Sequence, residues 1–482
     1  MFLRLKERFK PIAHDDYYEL FDNYTVSEYV VDSAQYDLLL SLDGTRTLRQ
    51  ILDEYDETSQ PTVSEFLEEL TQIGALEHLS APKERSFPCN YSTPYLEAVL
   101  WDVTSLCNLE CTHCYVSEFF QEAKGRDLST DEAFAVIDEM ASMNVRDVSL
   151  TGGEPLMRKD LPAIIRHILN SNIRLASLFT NGIAVTEDFV GFLRQTVPYP
   201  SKFRIRISLD GMTPESNAVL RGDKTEPSRL FSRMTDAIKR FVDAGFFVSV
   251  GTGIHRFNVV EIPRMYSFMK DLGVSQWRMA VPKPIGRYRR TQSTIGADWP
   301  QILEAYRKLI DLHLDEVRIQ DGEIVSPINI EIEQVFRTEL VVKTLNTFQE
   351  DDIACFYHKN RCSLKANGDV VPCGYYDDII AGNVRIGGLK QAWESSTMQQ
   401  VKNLRVAEVT ECKGCNLLSF CGTGCRAVAK KANGTIYCKD PYACYQAPFL
   451  KETTTQLLEK HGFTLGLSGK CLEFSVMEQE LL

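Results

Sequence analysis

From Tyr95 to about Pro282 the chain alternates short apolar runs with longer stretches of helical period. The runs are LEAVLWDVT, VRDVSLTGG, RLASLFTNG, FRIRISLDG, FFVSVGTGI and SQWRMAVP; between them lie amphipathic stretches such as DEAFAVIDEMASMN and SRLFSRMTDAIKRFVDAG. Apolar strands separated by helices predict six β/α units, each strand buried on both faces of a parallel sheet. Right-handed crossovers curl such a sheet into a (β/α)6 barrel or part of one, so an α/β fold is expected over residues 95–285. In such folds the chemistry sits at the C-terminal ends of the strands, and every conspicuous motif of this chain falls there.

The first 85 residues read differently. YYELFDNYTVSEYVV predicts two short strands with Asp22-Asn23 in the turn, and the apolar-periodic segments Ser33–Leu42, Leu48–Tyr55 and Val63–Ile73 predict three small helices. Asp43-Gly44 is a helix stop, and Thr47 or Thr62 a cap. Together they predict a winged-helix-like module over residues 1–85, joined to the barrel by the proline-rich linker SAPKERSFPCNYSTP. Residues 286–350 are mixed, helical around Trp299–Leu314, with no assignable chemistry. Residues 351–447 hold most of the remaining cysteines and little periodicity, so that region needs staples; 448–482 form a tail.

A chain of 482 residues is expected to hold two or three domains. Its 44% apolar and 25% charged content belongs to a soluble globular protein and excludes disordered and fibrous classes. The net charge of -13 leaves no positive field to gather nucleic acid or anionic lipid. MFLRLKERFKPIAHDDYY lacks the apolar core and cleavage site of a secretory signal, and no apolar run approaches the ~20 residues of a membrane span. A cytoplasmic protein without membrane or nucleic-acid partner is expected. In that compartment thiols stay reduced, so 14 cysteines in motif-like groups point to metal or catalysis rather than disulfides.

Cys107, Cys111 and Cys114 follow the first barrel strand with spacing C-x3-C-x2-C. Three thiolates bind three irons of a [4Fe–4S] cube and leave the fourth open to another ligand. A zinc site completed by His113 is the alternative. C-N-L-E-C-T-H-C-Y resembles the cluster loop of radical S-adenosylmethionine (radical SAM) enzymes, whose core is a partial TIM-like barrel and whose open iron is chelated by the methionine part of the cofactor. Thr151-Gly152-Gly153-Glu154-Pro155, at the end of the second strand, matches the family's GGEP motif, which implies that Gly152, Gly153, Glu154 and Pro155 hold the methionine ammonium. Thr180-Asn181-Gly182 and Ser208-Leu209-Asp210-Gly211 resemble the positions along the ribose and carboxylate side, so Asn181, Ser208 and Asp210 are expected at the cofactor. Arg221 reads either as the basic position that meets the cofactor carboxylate or as a solvated surface arginine. His113 reads either as the ring beside adenine or as a loop hydrogen-bonder. In the family the cluster passes an electron, received from a low-potential donor such as flavodoxin or ferredoxin, into the sulfonium; a 5′-deoxyadenosyl radical results and abstracts hydrogen from a C–H bond.

Cys412-x2-Cys415-x5-Cys421-x3-Cys425 is compatible with zinc ribbons, yet His358 is the only histidine in that region. With Cys355, Cys362, Gly368 and Cys373 upstream and Cys438 and Cys444 downstream, the run resembles the SPASM extension of radical SAM enzymes. That resemblance implies two auxiliary [4Fe–4S] clusters, one on Cys355, Cys362, Cys373 and Cys425, the other on Cys412, Cys415, Cys421 and Cys444. Cys438 competes with Cys444 for the last place; Asp440-Pro441-Tyr442, before Cys444, resembles the family's closing motif. Cys89 and Cys471 fit neither group and read as buried small hydrophobes. Sulfatase-maturing members carry an acidic base after the third cysteine of the first auxiliary cluster. Here Gly374, Tyr375 and Tyr376 follow Cys373, so oxidation of serine or cysteine to an aldehyde is not expected unless Asp377 or Asp378 substitutes.

The first 85 residues resemble the leader-peptide recognition domains related to the pyrroloquinoline quinone peptide chaperone. Their acidic excess repels phosphates and suits a basic leader docked as an added strand along YTVSEYVV; a purely structural cap is the alternative. The resemblances imply an enzyme that abstracts hydrogen from a residue of a ribosomally made precursor and closes a thioether or carbon–carbon cross-link. A tetrapyrrole-modifying radical enzyme of haem pathways, or a non-catalytic iron–sulfur carrier or sensor, is the competing expectation.

Overall fold

Alternating apolar positions in FLRL and FKPIA make the first two strands, β1 (Phe2–Leu5) and β2 (Phe9–Ala13), which precede the two strands expected of the module. β3 (Tyr18–Asp22) and β4 (Ser27–Val31) follow, and β2, β3 and β4 form one antiparallel sheet. Asp32 and Thr47 cap α1 (Ser33–Ser41) and α2 (Leu48–Leu52) by reciprocal side-chain bonds, and α3 (Gln60–Gln72) completes the predicted helices. β1 lies between β5 (Asp43–Thr47) and β6 (Leu76–Leu79) in a second small sheet. Leu3, Leu5, Phe9, Leu20, Leu39 and Leu70 give this module a core of its own. The computed structural model describes all residues except 15–16, 88–94, 124, 223–225, 322, 334, 339–344, 347, 377, 464–466 and 469–482; Cys89, Asp377 and Cys471 lie outside the described residues.

The six expected barrel strands are β7 (Ala98–Asp102), β8 (Asp147–Thr151), β9 (Arg174–Thr180), β10 (Arg204–Ser208), β11 (Phe247–Gly253) and β12 (Gln276–Ala280), all parallel and adjacent in chain order. The sheet continues past both ends. A hairpin of β13 (Arg318–Gln320) and β14 (Glu323–Val325) leads to β15 (Asn329–Ile332), which adds in parallel beside β12 and turns back as β16 (Phe336–Arg337). β17 (Leu345–Asn346) pairs instead with Leu467–Ser468. At the opposite edge β18 (Arg361–Leu364) adds in parallel beside β7, extended by β19 (Asp369–Val371) and β20 (Gly382–Asn383). The result is an 11-stranded partial TIM-like barrel, open between β16 and β20. Residues between 286 and 350 therefore build its wall.

The expectation that the strands are apolar on both faces is corrected. Leu150, Leu178, Ile207 and Val250 are fully buried on one face, while the alternate positions Ser149, Ser177, Arg206, Ser249, Arg278 and Glu331 are polar. The polar face survives because its groups bond one another, Ser177 to Ser149 at 2.8 Å and Ser249 to Gln276 at 3.0 Å, and because it surrounds a cavity.

The N-terminal module docks where the barrel strands begin. Arg146, just before β8, reaches Glu19 and Glu28 of the module at 3.2 and 2.9 Å and Glu97 and Asp147 of the barrel at 2.7 and 3.4 Å. Burial disfavours its charge, but Glu97, Asp147, Glu19 and Glu28 outweigh burial and hold its pKa well above the ordinary arginine value. Lys10 donates to the Val145 carbonyl at 2.8 Å, Asn144 to the Pro11 carbonyl at 3.1 Å and Asn23 to the Asn172 carbonyl at 2.8 Å. Ile12, Phe21 and Val26 leave the module's core and join that of the barrel.

Arg146→Met leaves these carboxylates buried without their shared counter-charge, and the expected loss is about 3–5 kcal/mol, read as a lower denaturation midpoint. Burial raises the Asp147 pKa, but Arg174 and Arg146 more than reverse this and hold it below the ordinary carboxylate range. Its contribution is then full above about pH 4 and is lost as pH falls, which a pH series of the same denaturation curves checks.

Candidate active site

The loop bearing Cys107, Cys111 and Cys114 starts where β7 ends, and the glycines that end β8 press against it. Gly152 has φ 144°, and a Cβ there would lie 2.6 Å from the Thr104 carbonyl oxygen; at Gly153 a Cβ would lie 2.1 Å from that of Leu106. The close approach lets the Gly153 N–H donate to Thr104 and the Glu154 N–H to Leu106, both at 2.8 Å. Residues after β12 hold the loop from the other side. The Arg287 N–H donates to the Cys114 carbonyl at 3.0 Å, its guanidinium to the Cys111 carbonyl at 2.9 Å, and the Thr291 hydroxyl to the Thr112 carbonyl at 2.9 Å.

The three thiols lie within electrostatic reach of one another. Burial pushes Cys107 up to about 12 and Cys114 up to about 11, and the Cys111 thiolate adds to both. Against this the Leu109 N–H donates to Cys107 Sγ at 3.5 Å and Arg221 Nη1 to Cys111 Sγ at 3.7 Å. Three thiols on one loop, Cys107 exposed and Cys111 and Cys114 half-buried, that resist ionisation alone are a donor set that fits a cationic iron–sulfur core, which takes all three as thiolates. Among the described residues no three His, Cys, Asp or Glu side chains converge as a single ion requires.

Glu154 is 1% exposed, and its carboxylate accepts from the Thr180 hydroxyl and the Asn181 N–H, both at 2.7 Å, and from the Leu156 N–H at 3.2 Å. Burial lifts its pKa to about 7 against these three donors. The side chain ties the end of β8 to the end of β9, so the GGEP segment faces a ligand with its backbone. Asp210 repeats the pattern: Oδ2 accepts from Arg221 at 2.5 Å and Oδ1 from the Gly253 N–H at 2.7 Å. Arg221 is thus buried and paired, and the surface reading of it is corrected. Asn181 donates to Asn108 of the cysteine loop at 2.7 Å. Ser208, His113 and Arg221 line a cavity of about 300 Å³. Burial holds the His113 imidazole neutral, its pKa down to about 4, with Nδ1 3.3 Å from the Leu220 carbonyl oxygen.

The rest of that cavity is built largely by residues outside the recognised motifs. Arg278 on β12 and Glu331 on β15 pair through two bonds of 2.8 and 3.1 Å, and Lys283 meets Glu333 at 3.0 Å. Tyr115 and Tyr375 stand edge to face with centroids 4.9 Å apart, joining the residue after Cys114 to the segment after Cys373. The available signal was INIEIE, a strict apolar–polar alternation at 328–333.

The later cysteines fall into two groups. Burial raises the Cys355 and Cys373 thiols, and Cys425 adds to both. Cys362 is also raised by burial, to about 12, but Lys402 is the charge that opposes it, and it packs in the barrel core rather than in the satellite core that holds Cys373. The structure therefore brings three of the four expected thiols together and leaves Cys362 apart. In the other group burial pushes Cys421 up to about 12, with Cys412 and Cys444 adding; Cys444 and Cys415 act likewise on Cys412. The Cys438 thiol answers to Glu411 instead. Asp378 is engaged by Lys430 at 2.7 Å and is half exposed.

Two family models match this chain, that of the radical SAM superfamily over residues 101–269 and that of the SPASM iron-sulfur cluster-binding domain over residues 355–416. An AdoMet-dependent heme synthase of Methanosarcina barkeri is 29% identical over 354 residues, 72% of this chain and 96% of that protein. The mycofactocin maturase MftC of Mycobacterium tuberculosis is 26% identical over 68% of this chain and 77% of its own length. The structure of Streptococcus suis SuiB bound to its precursor peptide SuiA superposes with a TM-score of 0.63 at 15% identity, covering 92% of this chain and 99% of that one. The chain carries a radical SAM domain and a SPASM domain and belongs to the radical SAM enzymes. A [4Fe–4S] cluster, S-adenosylmethionine and auxiliary iron–sulfur clusters are the cofactors of these two domains. No helix among the described residues is long and apolar enough to cross a membrane.

Gly153→Ala forces Leu106 away from the end of β8. The expected result is at least a tenfold (~1.4 kcal/mol) loss of 5′-deoxyadenosine formation at unchanged far-ultraviolet circular dichroism, measured on the reconstituted, reduced protein.

Proposed function

We propose that this radical SAM enzyme is a peptide maturase, which abstracts hydrogen from a residue of a ribosomally made precursor and closes a thioether or carbon–carbon cross-link. The observation that carries this reading is the N-terminal module, locked to the barrel through Arg146, with β4 as a sheet edge paired, among the described residues, only to β3. An edge strand of that kind accepts an extended peptide as one more strand. The match to SuiB, whose structure holds a precursor peptide, spans more than nine-tenths of this chain and so reaches into the module.

Cys107, Cys111 and Cys114 hold the cluster, and Gly152, Gly153, Glu154 and Pro155, with Asn181 and Ser208, line the cofactor through backbone and side-chain groups. Bound there and reduced by a flavodoxin or ferredoxin, the cluster with S-adenosylmethionine supplies a 5′-deoxyadenosyl radical. Asp210 and Arg221 fix the shape of that end of the cavity, and His113, held neutral by burial, adds no charge to its wall. Cys412, Cys415, Cys421 and Cys444 hold one auxiliary cluster; their mutual electrostatic reach favours Cys444 over Cys438. Cys355, Cys373 and Cys425 hold the other, with Cys362 as the candidate fourth ligand. Gly374 stands where sulfatase-maturing members carry their acidic base, and Asp378 is engaged by Lys430.

A second reading, tetrapyrrole modification, is favoured by the 29% identity to the heme synthase, which aligns to less than three quarters of this chain. The leader-bearing precursor is expected to accelerate 5′-deoxyadenosine release, and iron-coproporphyrin III is expected to leave it unchanged; the opposite pattern rejects the peptide reading. Reconstituted protein is expected to hold ~12 iron atoms, falling by about four in Cys107→Ala/Cys111→Ala/Cys114→Ala, which also loses cofactor cleavage, and by about four in Cys444→Ala, with Cys438→Ala unchanged.

A further inference from the structure

Four cationic side chains line the cavity, and three of them are matched. Arg221 is held by Asp210 at 2.5 Å, Arg278 by Glu331 at 2.8 Å and Lys283 by Glu333 at 3.0 Å. The fourth is Arg206, two residues before Ser208 on the inward face of β10. Among the described residues no carboxylate lies within ion-pair distance of it, and its Nε is fully sheltered without a hydrogen-bond acceptor. Its guanidinium rests against the Phe179 ring, 5.2 Å from the centroid, so the planar fork is held in place by an aromatic face. Burial first, then Arg278, Arg204 and Arg361, pull its pKa down to about 9, with Glu331 opposing, and it stays charged at neutral pH. Glu331 is engaged by Arg278 through both its oxygens and, among the described residues, makes no ion pair with Arg206.

An unpaired, sheltered guanidinium in a cavity wall is costly to the free protein and is relieved by an anion that enters. We propose that Arg206 is the anchor for a carboxylate of the substrate, an acidic side chain of the precursor held deeper in the barrel than the cofactor. This deepens the reading of the cavity as the substrate chamber and rests on it. Arg206 and Ser208 share one face of β10, so a carboxylate on the former fixes which neighbouring carbon rises toward the cofactor end marked by Ser208 and His113. A guanidinium suits this task better than an ammonium, since its fork fixes the plane of the carboxylate.

The test uses full-length reconstituted protein saturated with S-adenosylmethionine and without reductant, so that the cofactor's own carboxylate site is filled and no turnover occurs. N-acetyl-glutamate amide and N-acetyl-glutamine amide are titrated by calorimetry. The acid is expected to bind at least about tenfold more tightly than the amide, R206Q to erase that preference, and R206K to restore part of it. In wild-type protein alone, labelling of Arg206 by phenylglyoxal, read by peptide mass spectrometry, is expected to slow at least about tenfold when the acid is present. Equal binding of acid and amide, or undiminished labelling, overturns the proposal. Iron-coproporphyrin III is the second arm. If it displaces the capped acid while the precursor does not, Arg206 stands as a carboxylate anchor and the peptide reading fails. If the precursor is modified by R206Q with unchanged KM, the peptide reading stands and the anchor fails.

Discussion

Strand β7 is hydrogen-bonded on both edges, to β8 and to β18, and the positions of both groups of functional residues follow from that double pairing. The cysteine loop leaves its C-terminal end. On one side the glycines of β8 fix the loop by backbone contact; on the other, β18 brings in the segment that ends at Cys373. The register sets Cys362 opposite Val99 and Leu364 opposite Trp101, and just beyond it Lys365 meets Asp102 at 3.3 Å, both buried. A slip of one residue would turn the alternate side chains to the wrong face, so the separation between the radical site and the later cysteines is a property of the sheet and not of a linker.

Charge placement extends the same logic. Arg146 and its four carboxylates close the N-terminal ends of the strands against the first module, while Asp210 with Arg221 and Glu154 with its three donors brace the C-terminal ends. Recognition and chemistry in the proposed maturase are therefore set at opposite ends of one barrel. Strands of five to seven residues put these ends roughly 20 Å apart, which asks for a spacer of at least about six extended residues between leader and target.

Much of this was legible in the residues, and the failures have physical causes. The six barrel strands and three small helices followed from period, and Cys107, Cys111, Cys114 and the GGEP segment were placed at strand ends because only there do parallel strands expose their loops. β15 and β18 were missed because each is four residues long and separated from its sheet neighbour by long stretches of chain, so no local pattern announces the pairing. With β15 went Glu331 and Glu333. The inner polar face was misread because a run such as FRIRISLDG shows its arginines and isoleucines alternating without saying that a cavity, and not apolar core, awaits the arginines. Glu154 and Asp210 stand at the strand ends where their motifs put them, but the bonds that consume their oxygens come from Thr180, Asn181, Arg221 and Gly253, which only the fold brings near. The choice between Cys438 and Cys444 turns on the helix Pro441–Phe449, capped by Asp440, which sets Cys444 within electrostatic reach of Cys412 and Cys421 while the Cys438 thiol meets Glu411.

The claim on which everything else rests is that the docked N-terminal module delivers a precursor to the radical site. Mass spectrometry of the precursor after incubation with the reduced, reconstituted full-length protein and S-adenosylmethionine, with its leader intact and with the leader removed, tests it most directly. The account predicts a loss of two hydrogens in the leader-bearing peptide and little change in the leaderless one. Equal modification of both, or none in either while a tetrapyrrole is converted, would contradict it.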